Sequence, residues 1–145
     1  KVFHKTTTYK LPLYAALCRN SMKSFHDFNI YEYGVNCCQR EITLKLKQHH
    51  GSESGAVIFS GVIGHRFENV LEGNIVLSIE EYEPLNFHAQ FKSEILEYVK
   101  WGLPLSFESG AEFEAQSNQK SLKFIVISSS YGLSGWVICT KVSVA

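Results

Sequence analysis

Along EITLKLK, Ile42, Leu44 and Leu46 alternate with Thr43, Lys45 and Lys47, so an extended chain would present one apolar side and one wet side. That alternation predicts a half-solvated antiparallel strand over residues 41–47. FNIYEYGV, rich in aromatic and branched residues, predicts a strand over 29–35. AVIFSGVI reads as a third strand, buried on both faces for part of its length. NIVLSIEEY reads as a fourth, with Ile75, Leu77 and Ile79 on one face. Two more close the chain: LKFIVIS, and GWVICTKVSV, in which Trp136, Ile138, Thr140, Val142 and Val144 share one face. GHRFENVLEGN, between the third and fourth strands, shows no period and is expected to be a connection.

The helical period appears elsewhere. Pro12 followed by Tyr14, Cys18, Met22 and Phe25 predicts a helix over 12–24. A second helix starts at Pro84, carries Phe87, Phe91, Ile95 and Val99 on one stripe, and stops at Gly102 and Pro104. ESGAEFEAQSNQ suggests a short third. This order predicts an α+β fold: a largely antiparallel sheet of about six strands with two or three helices packed on one face.

At 145 residues the chain suits one domain with a core of its own, residues 11–145, preceded by a ten-residue extension. Fourteen basic residues balance fourteen acidic ones without a basic cluster, which argues against a nucleic-acid partner. No apolar run approaches the ~20 residues of a membrane span, so no membrane partner is expected. The extension lacks the apolar core of a signal peptide, and the four cysteines, two of them adjacent, read as reduced thiols; both point to a cytoplasmic protein.

Five stretches carry candidate chemistry. His65, Arg66 and Glu68 offer an imidazole, a guanidinium and a carboxylate within four positions, suited to holding an anion or moving a proton. Plain alternation at a strand end explains them as well. His26 and Asp27 follow the first helix, whose C-terminal dipole would favour a charged imidazole, or they simply end it. Glu80, Glu81 and Glu83 form an acidic patch for a basic partner, or serve the start of the second helix. Cys37, Cys38, His49 and His50 include the donor types of a zinc site, but adjacent residues on a strand point to opposite faces, so no metal or cofactor is expected. SSSYGLSGW lacks both the phosphate-loop and the nucleophile-elbow patterns. It reads as a hairpin loop with Gly132 and Gly135 at positive φ, Tyr131 packed down as a lid and Trp136 opening the return strand.

LYAALCRNSMKSFHDF, FSGVIGHRFEN, GNIVLSIEEY and ISSSYGLSGWV together resemble a family of small uncharacterised bacterial proteins, over Leu13 to Val137. The resemblance transfers no catalytic residue. It loosely implies an immunity-type protein that neutralises a toxin domain, and so a non-catalytic module with a protein partner met by an acidic and aromatic face. The alternative is a small-molecule binder or small enzyme with a pocket near His65, Glu68, Tyr131 and Ser134.

Overall fold

The computed structural model describes residues 25–145, and the helix expected over 12–24 lies outside them. The strands are β1 (Phe28–Asn36), β2 (Glu41–Gln48), β3 (Ser54–Ser60), β4 (Gly64–Glu68), β5 (Ile75–Tyr82), β6 (Lys123–Tyr131), β7 (Ser134–Cys139) and β8 (Lys141–Val144); the helices are α1 (Pro84–Lys100) and α2 (Gly110–Gln119). All eight strands form one antiparallel sheet in the order β4-β7-β6-β5-β1-β2-β3-β8. This corrects the expected six-stranded sheet with two or three helices: the described residues are more strand-dominated, with eight strands and two helices.

Two segments account for the difference. GHRFE is a strand, β4, only five residues long, with just Phe67 as a large apolar residue on its inward side and the ion-paired Arg66 and Glu68 on the other, too short a pattern to announce a strand. The expected last strand is two strands, broken at Thr140. Only residues 61–63 separate β3 from β4, and the ladder runs on through this break: Thr140 N–H donates to Ser60 O at 3.1 Å and Ile63 N–H to Ile138 O at 2.9 Å. The two ends of the strand order therefore meet, and the sheet curls around its own core. Gly61 makes the bend, with φ at 65° and no room for a Cβ beside the Thr140 hydroxyl. The break shifts the pairing by one residue and so exchanges the faces. Trp136 and Ile138 point outward under the helices, whereas Val142 packs on the inner core, so the expected single face of the last strand does not hold.

A similar irregularity reorders β5. Register shifts around Val76 put Val76 and Ile79 in the core and leave Leu77 exposed, so Ile75, Leu77 and Ile79 do not share a face. At the start of β5 the sheet turns a second corner, where β1 pairs with β5 at Asn29 and Ile75 alone.

The inner core joins Ile42, Leu44 and Leu46 of β2 to Val57, Phe59, Ile125 and Ile127, confirming the inward face expected for EITLKLK. On β6 the alternate residues Phe124 and Val126 face the other way and carry the helices, through Phe87, Ile95 and Phe113. Each such large side chain contributes about 1.5–3 kcal/mol on burial. α1 opens with Pro84 in its first turn, as expected, and leaves helical geometry briefly at Phe91 (φ −117°, ψ 16°). α2 is capped by Ser109, whose hydroxyl accepts the Glu112 N–H at 3.2 Å.

Candidate functional site

Strand β1 changes character halfway along. Phe28 and Ile30 are buried, and then every residue from Tyr31 to Asn36 is exposed. A bulge between Ile30 and Glu32 causes part of this, because Tyr31 is the extra residue and is thrown outward. Beyond the bulge, Tyr33 pairs with Leu44 and Val35 with Ile42, so both lie on the core-facing side, yet they stay 41% and 42% exposed. The physical reason is that β5 parts from β1 after the Asn29–Ile75 pair, leaving the outer edge of residues 31–36 without a partner strand among the described residues. Tyr33 reaches across the opening to Phe67, edge to face at 5.7 Å between ring centres. Beside it lies a cavity of about 190 Å³ lined by Val35, Arg40, Ile42, Val62, Ile63 and His65.

His65 belongs to this opening. It pairs with Val137 and packs at a tilt against Phe67, 5.2 Å between ring centres, on the inner side of β4, and burial lowers its pKa by disfavouring the charged imidazole. Arg66 and Glu68 point the opposite way, which matches the alternation reading and separates the imidazole from the ion pair.

A second cavity, of about 200 Å³, lies on that outer side, between β4, β6, β7 and α1. Arg66 Nε meets Glu68 Oε1 at 2.6 Å, and its Nη1 stands 3.9 Å from Glu94 Oε1. Burial works against the charged guanidinium, but Glu94 and Glu68 outweigh it and raise the Arg66 pKa. The Trp136 Nε1–H donates to Glu94 Oε2 at 2.7 Å. Ser134, across the ladder from Glu68, lines the same cavity. The pocket expected near His65, Glu68, Tyr131 and Ser134 is thus divided: Glu68 and Ser134 share this cavity, while His65 and Tyr131 line other surfaces. Glu94 has no signal in the sequence, because helical period alone does not reveal that a glutamate beside the apolar stripe is half-buried against Trp136.

SSSYGLSGW joins β6 to β7, whose ladder ends at the Ile127–Gly135 pair, while Ser128, Ser129 and Tyr131 continue the pairing with β5. Gly132 takes φ 86° and Gly135 φ 153°. Tyr131 is 55% exposed instead of packed down, and Leu133 is the buried plug. Ser129 Oγ donates to the Leu133 carbonyl, and Ser130 Oγ to Ile75 O at 3.3 Å, so these serines serve the backbone.

The acidic patch is divided as well. Glu81 pairs with Lys123 at 3.0 Å, Glu80 lies on the opposite face of β5, and Glu83 is the α1 N-cap residue. His26 Nδ1 lies 2.9 Å from Asp27 Oδ2 in an open hollow of about 500 Å³ with Gln48, His49, His50 and Ser130. Cys37 and Cys38 sit at the other end of β2 from His49 and His50, about 25 Å along the strand, and no group of three metal-ligating side chains occurs among the described residues. No described helix is long and apolar enough to cross a membrane.

No protein-family model and no curated protein matches the sequence. Among solved structures, an uncharacterized protein from Neisseria gonorrhoeae is similar at 12% identity and a TM-score of 0.49, covering 87% of this chain and 97% of that one. A likeness at that level carries no functional weight.

Proposed function

We propose that the chain is a non-catalytic binding module that takes an extended segment of a partner protein along the outer edge of β1. The observation that supports it is the outer edge of Tyr31–Asn36, which has no partner strand among the described residues and offers backbone donors and acceptors next to the exposed Tyr31, Tyr33 and Val35. Such an edge recruits a strand: the backbone supplies affinity, and alternate side chains supply specificity. The adjoining cavity by Val35 and His65 is of a size to accept one apolar side chain of the incoming strand. In the finer form implied by the sequence resemblance, that partner is a toxin domain and the chain an immunity-type protein.

The test is affinity purification from the native host with two chains, the native one and the double variant Tyr31→Lys, Val35→Lys, whose substitutions fall on already exposed positions. A stoichiometric partner retained by the native chain and lost by the variant, at equal thermal stability, supports the reading. Recovery of the native chain alone at native expression, or equal retention by both, refutes it.

A further inference from the structure

We infer that the cavity between α1 and the β4–β7 edge is a binding site for an ammonium group, carried either by a free alkylamine or by a lysine side chain. Its centre is Glu94. One carboxylate oxygen is oriented by the Trp136 indole at 2.7 Å, and Trp136 is 1% exposed, so the donor is held by the core. The other oxygen stands 3.9 Å from Arg66 Nη1, beyond hydrogen-bond reach, and accepts no hydrogen bond among the described residues. A carboxylate fixed by a hydrogen bond on one oxygen and held on the other only by a loose ion pair to Arg66 has room for a closer charge-assisted donor.

The surroundings select the sign and shape of that donor. Arg66 is committed to Glu68 through its Nε, so the cavity's charged groups are two carboxylates against one guanidinium, and a phosphate or carboxylate ligand meets net negative charge. Phe91 and Trp136 provide aromatic walls, and a cation near an aromatic face gains further attraction. Ser128 and Ser134 add hydroxyls able to accept the remaining ammonium protons. About 200 Å³ suits an aminoalkyl group rather than a nucleotide. The one departure from helical geometry inside α1 falls at Phe91, on the wall of this cavity.

Trp136 also provides the readout. In a ¹H–¹⁵N spectrum of the native chain, its indole N–H reports directly on Glu94, and Trp101, 86% exposed, gives an internal control. Titration with n-butylamine and with Nα-acetyl-lysine methylamide is expected to move the Trp136 signal and leave Trp101 in place. The uncharged n-butanol and Nα-acetyl-norleucine methylamide are expected to leave both in place. Glu94→Gln should weaken amine binding roughly tenfold, as loss of a charge-assisted bond does, while Glu97→Gln on the exposed side of α1 leaves it intact. A response to butylamine alone assigns the site to free amines, and a stronger response to the lysine compound assigns it to a protein side chain. No Trp136 shift with either amine, equal shifts with the uncharged compounds, or full binding by Glu94→Gln overturns the inference and leaves the β1-edge reading untouched.

Discussion

Leu133 and Asn74, fifty-nine positions apart, are joined by a hydrogen bond from the Leu133 N–H to Asn74 Oδ1 at 2.8 Å. The same oxygen accepts the Leu71 N–H at 3.0 Å, and Asn74 Nδ2 donates back to Leu71 O at 2.7 Å. The Asn74 backbone meets Asn29 Oδ1 and the Ile30 N–H. One buried amide thus holds the β6–β7 hairpin, the β4–β5 loop and β1 together at the corner where β1 and β5 part.

Asn74→Ala should therefore destabilise the fold by roughly 1–3 kcal/mol, because it leaves the buried Leu133 N–H without its acceptor and removes both hydrogen bonds to the Leu71 backbone. Asn74→Asp keeps the acceptor but loses the Nδ2 donor and buries a charge, so it should be no better. Urea unfolding measures both; a loss under 0.5 kcal/mol, the range typical of plain surface substitutions, would show that water replaces the amide.

At Gly132 an added Cβ would collide with the Asn74 side chain and the Gly73 carbonyl, at a backbone φ of 86° that side chains resist. Gly132→Ala should cost at least about 1 kcal/mol. It should also raise amide exchange at Leu133 before it does so in the β2–β3 ladder. Uniform exchange across the sheet would contradict this localisation.

His88 packs between Phe107 and Phe113 under α2, with its Nε2 buried and without a hydrogen-bond partner among the described residues. Burial first, and Lys92 second, lower its pKa below 6.5; burial lowers that of His65 too. Because the folded state binds these protons less readily than the unfolded chain, the stability gained is full above pH 6.5 and is lost as pH falls through the folded values. The melting temperature should drop as the pH is lowered from 7.5 to 5, and His88→Phe should flatten the slope. Parallel slopes for the two chains would remove His88 from the account.

Burial pushes the Cys139 thiol up to about 12, whereas Cys37 and Cys38 are exposed in the β1–β2 turn. Iodoacetamide at pH 8 should alkylate Cys37 and Cys38 in the folded protein and reach Cys139 only after denaturant is added, as read by peptide mass spectrometry. Early labelling of Cys139 would mean that β7 opens readily.

Local pattern was a good guide wherever one face is buried and the other wet. Ile42, Leu44 and Leu46 announced β2, and Pro84 with Phe87 and Ile95 announced α1, because period and capping are properties of neighbouring residues. It failed where a strand is short and half-buried for most of its length, as in β4, and where a register shift exchanges faces, as around Val76 and Thr140. The alternation of His65 with Arg66 was visible in the sequence; their allotment to two different cavities was not.

Sequence alone therefore determined β2, β3, β6 and α1 and the turn between the last apolar runs at SSSYGLSGW, because period and turn residues are local, whereas β4 and the split of the last strand at Thr140 escaped it. Only the tertiary structure decided that the strands close on themselves through Gly61 and Thr140, that β5 parts from β1 after Asn29 and leaves its outer edge without a partner strand among the described residues, and that Glu94, Arg66 and Trp136 meet. Those outcomes depend on contacts between positions far apart in the chain, where a one-residue slip reverses the side each residue faces and leaves no trace in the local pattern.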